Sequence, residues 1–585
     1  MNLPASLRIL AGMLVGVVAI LILSFSSDST VAQGQVSVSA ADPAAATQGT
    51  INLNVKVTGK GFKTGAKAKW FVTGTTDPGG VTVNSTAFVN SGELTANITV
   101  ADTAVIANFD IAVTNSDGRG GKGTELFAVT AKGGGNATCP AMQPAPSSDT
   151  KCYAAQAGCL DVSFGGGGYV HTDPDGPAYA DGSEAVAIQP DGKIIVAGQS
   201  HDPAKGNPSF TVLRYNADGS LDTSFGDSDP LNPPLRRGFA VTSFSTGSDY
   251  AHALLLQADG KIVVGGSASP GSMAVARYNT DGTLDTTFGS GGKVIVDFGS
   301  SAAVQQLALQ SDGKLVLAGQ AGAPSGFGLA RLNPNGSLDS TFGTGGKLVV
   351  NPSSVKRGSG FAWAVAIQRV PAITGEERIV VGGRSSTGNS APDEWTLMRF
   401  KPNGATDTTF GNSGRVTTPF SGFGDRLMRL VIDSNNRIVA AGLTRTASST
   451  CGSYVIDYAV VRYSQDGGLD GSFSGGKQIV DIYGGMDELY GMVLQLDGKI
   501  VLSGYAKSSD LTVSDFALVR FNSDGSRDSS FGLLGNGVVT TDLYGFDDYA
   551  IGIAVQPSDG KIVITGSAKL VSGGHDDIVV ARYWP

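Results

Sequence analysis

Charge is scarce in this sequence. Lys, Arg, Asp and Glu make up 16% of its 585 residues, the balance is −9, and basic residues nowhere cluster. Nucleic acid and anionic membrane surfaces are recognised by basic faces, so neither is expected as a partner. Histidine is scarcer: His171, His201, His252 and His575. None recurs at a repeated position, and no HExxH, GxSxG or P-loop line occurs, so no catalytic residue is assigned. The glycine-rich VSFGGGGYV is a strand turn, because no Lys-Ser/Thr follows it to cradle a phosphate. Only one apolar run is long. It spans 9–23 behind Arg8 and is followed by the small residues Thr30-Val31-Ala32. Residues 1–32 read as a secretory signal, with an uncleaved membrane anchor as the alternative. Either places the remainder outside the cytoplasm, secreted or at the cell surface, with no other membrane insertion.

Cysteine is also rare. Cys139, Cys152 and Cys159 lie close together and Cys451 is distant, at spacings that match no zinc module. In an oxidising compartment they are disulfide candidates, with three connectivities open. If all four pair, one of the first three reaches Cys451.

What the chain has in quantity is apolar residues, 41%, and glycine, 83 residues without a collagen period. That suits a large all-β protein with many tight turns. Segment 33–132 shows short alternating strands, INLNVKVTGKGF, ELTANITV and FDIAVTNSDGRGG, as in a β-sandwich. Segment 133–158 reads as a linker by composition.

Beyond it one line keeps returning: QPDGKIIVAG at Gln189, QADGKIVVGG at Gln257, QSDGKLVLAG at Gln310 and QLDGKIVLSG at Gln495. DSNNRIVAAG at Asp433 is a worn copy, QPSDGKIVITG at Gln556 has one inserted residue, and the copy at Gln368 has a longer turn. Asp191-Gly192 is read as a two-residue hairpin turn with positive φ. Each copy continues into a strand ending in Arg plus an aromatic residue or Leu, then an LDTTFG-like line, then a short strand. Four strands per repeat of about 61 residues mark a β-propeller blade. The first LDxxF line, at Cys159, precedes any opening line, and the last repeat has none. The N-terminal piece is therefore expected to supply the outermost strand of the last blade. The fold expectation is all-β: a seven-bladed β-propeller over 159–585, closed by an N-terminal strand and preceded by an Ig-like β-sandwich.

Two resemblances accompany these lines. QPDGKIIVAG, ARYNADG and LDTSFG, recurring in order, resemble the delta-60 family of bacterial propeller repeats. That resemblance implies a secreted or surface protein and brings no reaction with it. The order VTGKGF, ELTANITV, IAVTNSDG resembles the IPT/TIG class of immunoglobulin-like domains, which implies a spacer or binding module.

Most repeated residues have structural roles to fill. The Leu and Phe of LDTTFG are expected to pack between blades, and the Arg of each strand end to pair with the Asp of LDxxF, such as Arg214 with Asp222. Function is sought where copies differ at a fixed place. Eight residues before the opening Gln stand Asp181, Asp249, Asp425, Asp487 and Asp548, against Ala302 and Gly360 in copies three and four. They are expected near the channel mouth, as turn caps or as a cation-binding rim suited to Ca²⁺ or Mg²⁺. Five residues before it stand Glu184, His252, Gln305, Trp363, Met428, Tyr490 and Ile551. Of these, Glu184, His252, Gln305, Trp363 and Tyr490 are the ligand-binding candidates. The functional expectation is an exported binding or adhesion protein whose channel-mouth face holds a glycan or an envelope protein. The alternatives are a metal-dependent lyase or hydrolase, with His575-Asp576-Asp577 joined by His252 or His201, and a purely structural surface protein.

Overall fold

The computed structural model describes residues 36–130 and 156–585. Short stretches at 44, 48–49, 51–52, 74, 102–103, 106, 177–178, 203–205, 230–234, 354–357, 371–374, 388–391, 421–423, 448–453, 508–512 and 572–573 are outside this description. So are the apolar run at 9–23 and Cys139, Cys152 and Cys451. The regular elements among the described residues are all strands, and no described helix is long and apolar enough to cross a membrane. The chain divides into two compact units, Met1–Thr138 and Cys139–Pro585.

The first unit holds two four-stranded sheets. One runs Ser37–Asp42, Leu53–Lys60, Glu93–Val100, Val81–Asn90; the other runs Ala45–Thr47, Gly120–Thr130, Ala107–Thr114, Lys67–Val72. Strand Glu93–Val100 buries every second residue, so Leu94, Ala96, Ile98 and Val100 join the core with Trp70, Phe109 and Phe127.

The second unit is built of seven antiparallel four-stranded sheets in chain order; a single parallel bridge, Ile456 to Met486, joins the fifth to the sixth. Each inner strand, such as Gly182–Ile188, lies against the inner strands of the preceding and following sheets, and the first lies against that of the last, Asp548–Val555. This is a β-propeller. Its seventh sheet takes its outer strand, Tyr169–Thr172, from before the first repeat, paired antiparallel with Asp576–Tyr583.

The recurring line is explained by its hairpin. Gln189 N–H donates to Lys193 O (2.8 Å) and Gly192 N–H to Gln189 O (2.9 Å), so the loop has three residues, Pro190-Asp191-Gly192. This corrects the two-residue expectation: only Gly192 has positive φ, as in a type I turn followed by one left-handed residue, and the copies with Ala258, Ser311 and Leu496 in place of Pro190 make the same bonds. In the worn copy Asn436 takes that place at φ 62° and the same hydrogen bonds persist.

The closing glycine has a different cause. In every inner strand the register slips at one residue, and the skipped residues are Glu184, His252, Gln305, Trp363, Met428, Tyr490 and Ile551. Each is a β-bulge. The bulge pushes a carbonyl against the glycine opposite. A Cβ on Gly198, Gly319, Gly383 or Gly504 would lie within 2.0 Å of an inner-strand carbonyl oxygen.

The strand-end arginines form a buried brace in all seven sheets. Arg214 Nε donates to Asp222 at 2.7 Å, and Arg277, Arg331, Arg399, Arg462 and Arg520 meet Asp285, Asp339, Asp407, Asp470 and Asp528 at 2.7–2.9 Å. The seventh, Arg582 to Asp161 at 2.8 Å, spans the closure. The LDxxF phenylalanines pack beneath these guanidiniums and are fully buried. The leucines are less uniform: Leu160 is buried and Leu221 and Leu284 pack half-buried against the core, but Leu338 and Leu469 are 37% and 52% exposed, so the expected packing between sheets fails at those two.

Candidate functional site

The seven bulges occupy the same place in each inner strand, and a β-bulge re-aims its side chain. Glu184, His252, Gln305 and Ile551 line a central cavity of about 140 Å³ to which six of the seven inner strands contribute. His252 Nδ1 and Glu184 Oε2 are 2.8 Å apart. Arg429 lines the same cavity. Burial pushes the pKa of its guanidinium down, and the Glu184 charge opposes that. Arg429 was missed in the sequence because the column containing it otherwise reads Ala185, Ala253, Gln306, Ala364, Gly491, Gly552 and passes as small.

Trp363 and Tyr490 do not line that cavity. Trp363 stacks on Phe361 at 4.4 Å, with the Arg384 guanidinium 5.8 Å from its ring. Tyr490 donates to Glu488 at 2.7 Å and lies parallel to Tyr505 at 6.0 Å, and Tyr505 meets Tyr549 edge-on at 5.0 Å. The sixth and seventh sheets thus present three tyrosines and a carboxylate side by side. Burial, then Glu488, raises the phenol of Tyr490, so it stays a donor at neutral pH.

The aspartates at the inner-strand entrances do not meet in a common rim. Each faces sideways into the junction with the preceding sheet. Asp249 accepts from the Phe244 N–H (2.7 Å) and the Ser245 hydroxyl (3.0 Å); Asp425 accepts from Phe420 N–H (3.2 Å) and Thr444 (2.7 Å). These two are turn caps.

The other three join carboxylates that single-column comparison missed. Asp457, Asp481 and Asp487 meet at the junction of the fifth and sixth sheets; Asp515, Asp542 and Asp548 at that of the sixth and seventh; Asp577, Asp173 and Asp181 at that of the seventh and first. Within each group the carboxylate atoms lie within 4.8 Å of one another. The three positions correspond: third strand of one sheet, the residue after its fourth strand, and the entrance of the next inner strand. Burial, then the Asp481 and Asp457 charges, pushes Asp487 up to about 8; burial, then Asp175 and Asp173, pushes Asp181 up to about 9. The same causes lift Asp457 and Asp515 to about 6. The signal was legible five residues before each strand-end Arg, where only copies five, six and seven carry Asp.

The histidines are dispersed, and none belongs to a carboxylate group among the described residues. His201 stacks on Tyr179 at 4.2 Å, while His252 faces Glu184. The His575-Asp576-Asp577 set with His252 or His201 is therefore not assembled. Among the described residues no cysteine is free, and Cys159 is fully buried.

Comparison with known proteins agrees on the class. Residues 189–225, 257–288, 310–342, 378–410, 495–531 and 558–585 match the family described as a domain of unknown function (DUF5122) beta-propeller. The fifth repeat, with the turn DSNNR, is not among the matched segments. No curated protein matches the chain. Similar solved structures include an α-L-arabinofuranosidase from Fusarium graminearum (12% identity, 56% of this chain and 92% of that one, TM-score 0.35). Another is the β-propeller domain of the Trilobed protease from Pyrococcus furiosus (9% identity, 69% and 93%, TM-score 0.35). A third is an endo-arabinase from Bacteroides thetaiotaomicron (10% identity, 48% and 94%, TM-score 0.26). At these scores the likeness carries no argument about activity.

Proposed function

We propose that this chain is an exported glycan-binding protein: a seven-bladed propeller behind an Ig-like spacer, binding through the channel-mouth face. The observation that carries the reading is the contrast at the bulges. Seven equivalent backbone positions hold Glu, His, Gln, Trp, Met, Tyr and Ile, while the glycine opposite each one never changes. A frame held constant around seven different side chains is the pattern of a recognition surface on a rigid scaffold. Its chemistry suits a sugar. Trp363 and the Tyr490–Tyr505–Tyr549 row supply ring faces, and Glu184, His252, Gln305 and Arg429 supply directional hydrogen bonds.

Two features support export: the apolar run at 9–23 and the cysteine usage, with Cys159 proposed to pair with Cys139, Cys152 or Cys451. The test is a glycan panel probed with the full chain, beside Trp363→Ala and Tyr490→Ala. Retention of a defined glycan, weakened at least tenfold by either variant, is expected. Retention of none of the panel overturns the glycan reading and turns attention to envelope proteins as ligands of the same face.

A further inference from the structure

We propose that the three aspartate groups are three equivalent binding sites for a hard divalent cation, calcium, which ties the fifth, sixth, seventh and first sheets into a closed ring. An acidic cluster alone does not make a site. Here a second observation points into each one. Asp487 is fully buried with its Oδ1 lacking any hydrogen-bond partner. Asp181, 3% exposed, lacks partners on both carboxylate oxygens. Asp457 and Asp515 are buried with Oδ1 unpartnered. Buried carboxylate oxygens without donors are costly, and three carboxylates in contact cannot all be ionised without a counter-charge.

The geometry suits calcium. Oxygen ligands sit about 2.4 Å from Ca²⁺, so ligands on opposite sides of the ion are up to about 4.8 Å apart. The three oxygens of each group lie within 4.8 Å of one another, near enough for all of them to reach one ion. Magnesium prefers to keep its waters over an all-protein cage. The outermost aspartate of each group is held by its own loop: Gly484, Gly545 and Gly176 donate backbone N–H groups to Asp481, Asp542 and Asp173.

The site arises three times by the same rule, an Asp five residues before the strand-end Arg together with an Asp directly after the fourth strand. The fold does not demand it. At the junction of the first and second sheets the same two places hold Ser209 and Ser243, hydrogen-bonded at 2.8 Å. The bound ion would join the third strand and fourth-strand exit of one sheet to the inner strand of the next, on both sides of the closing sheet.

The experiment is calorimetric titration of the chelator-stripped full chain with CaCl₂, with melting temperature followed in parallel. Three ions per chain and a higher melting temperature are expected. Asp481→Ser, Asp542→Ser and Asp173→Ser each copy the residue that the first junction already carries, so the frame tolerates them. Each should remove one ion, and the triple variant should abolish the thermal response, while Asp249→Asn leaves three ions bound. No calcium binding at millimolar concentration overturns the proposal. So does a stoichiometry unchanged by the serine variants, or binding of MgCl₂ in preference to CaCl₂. Glycan binding by the channel mouth is a separate readout and can fail or succeed independently.

Discussion

Two arcs of the same ring solve one structural problem in opposite ways. Where the fifth, sixth, seventh and first sheets meet, the junction is filled by three carboxylates. Across the remaining arc no such carboxylate group forms among the described residues, and the aspartates present are capped or paired, as Asp249 is by Phe244 N–H and Ser245. Ser209 and Ser243 pair with each other, Ala302 and Gly360 replace the entrance aspartate, and at the fourth-to-fifth junction Asp393 is held by Arg384 at 2.6 Å and Arg426 at 3.1 Å. The backbone is the same in both arcs, down to the bulge and its glycine. The acidic junctions are therefore an addition to the fold, and they bracket the sheet where the ring is closed by the strand that precedes the first repeat.

Acid is the broadest way to break that comparison, because it acts on the braces of both arcs. Burial acts to raise Asp161, but Ser163, Lys561 and Arg582 outweigh it and hold it at about 2. In Asp339 burial is likewise outweighed, by Thr341 and Lys314, and in Asp470 the Ser472 hydroxyl leads, both again ending at about 2. These folded values lie below the ordinary carboxylate value of about 3.9. The stabilisation is thus complete above about pH 4 and lost as pH falls through 2. Cooperative unfolding in that window, followed by tryptophan fluorescence, is the expected outcome.

The closing brace comes next. Arg582→Met leaves Asp161 buried without its guanidinium and should cost about 3–5 kcal/mol by chemical denaturation. Arg399→Met, the same change inside the ring, sharpens the test. If the closing sheet is the weak point, Arg582→Met also exposes Tyr169–Thr172 to proteolysis, and Arg399→Met does not. Gly504→Ala, on the acidic side, should cost about 1–3 kcal/mol, because its Cβ would lie 2.0 Å from the Glu488 carbonyl. Gly319→Ala, in the other arc, should cost the same, since the bulge is common to both arcs. The smallest effect is expected at Asp249→Asn, a turn cap, at about 1 kcal/mol or less in the melting curve.

The repeat lines made the architecture legible because each of their residues has one job: turn, bulge partner, brace or buried ring. Reading columns across the copies also found the seven variable positions. It did not reveal that they are bulges, since a register slip is a property of two strands and the sequence shows one. The same limit hid the carboxylate groups. Asp487 was visible in its own column, but Asp457 and Asp481 lie on other strands and become neighbours only when sheets stack side by side. Arg429 was hidden for the opposite reason, as one large residue averaged into a column of small ones. Leu338 shows how a repeated apolar residue at a turn is read as core when it covers an edge: it lies over Gly346 and is more than a third exposed.

The strand exchange that closes the ring also sets a timetable for assembly. Each interior sheet is a run of hairpins whose partners are near in sequence, so it can form as soon as its own stretch of chain is free. The seventh sheet must wait for groups 421 positions apart, Asp161 and Arg582. Until then Tyr169–Thr172 and Asp576–Tyr583 each offer an unpaired edge, the kind of surface that joins another chain as readily as its own. The amide of Asp161, which donates to Arg582 O at 2.8 Å, is the clock for that last event. Its protection against hydrogen exchange should appear after that of Val196 or Val264, once the ring has sealed.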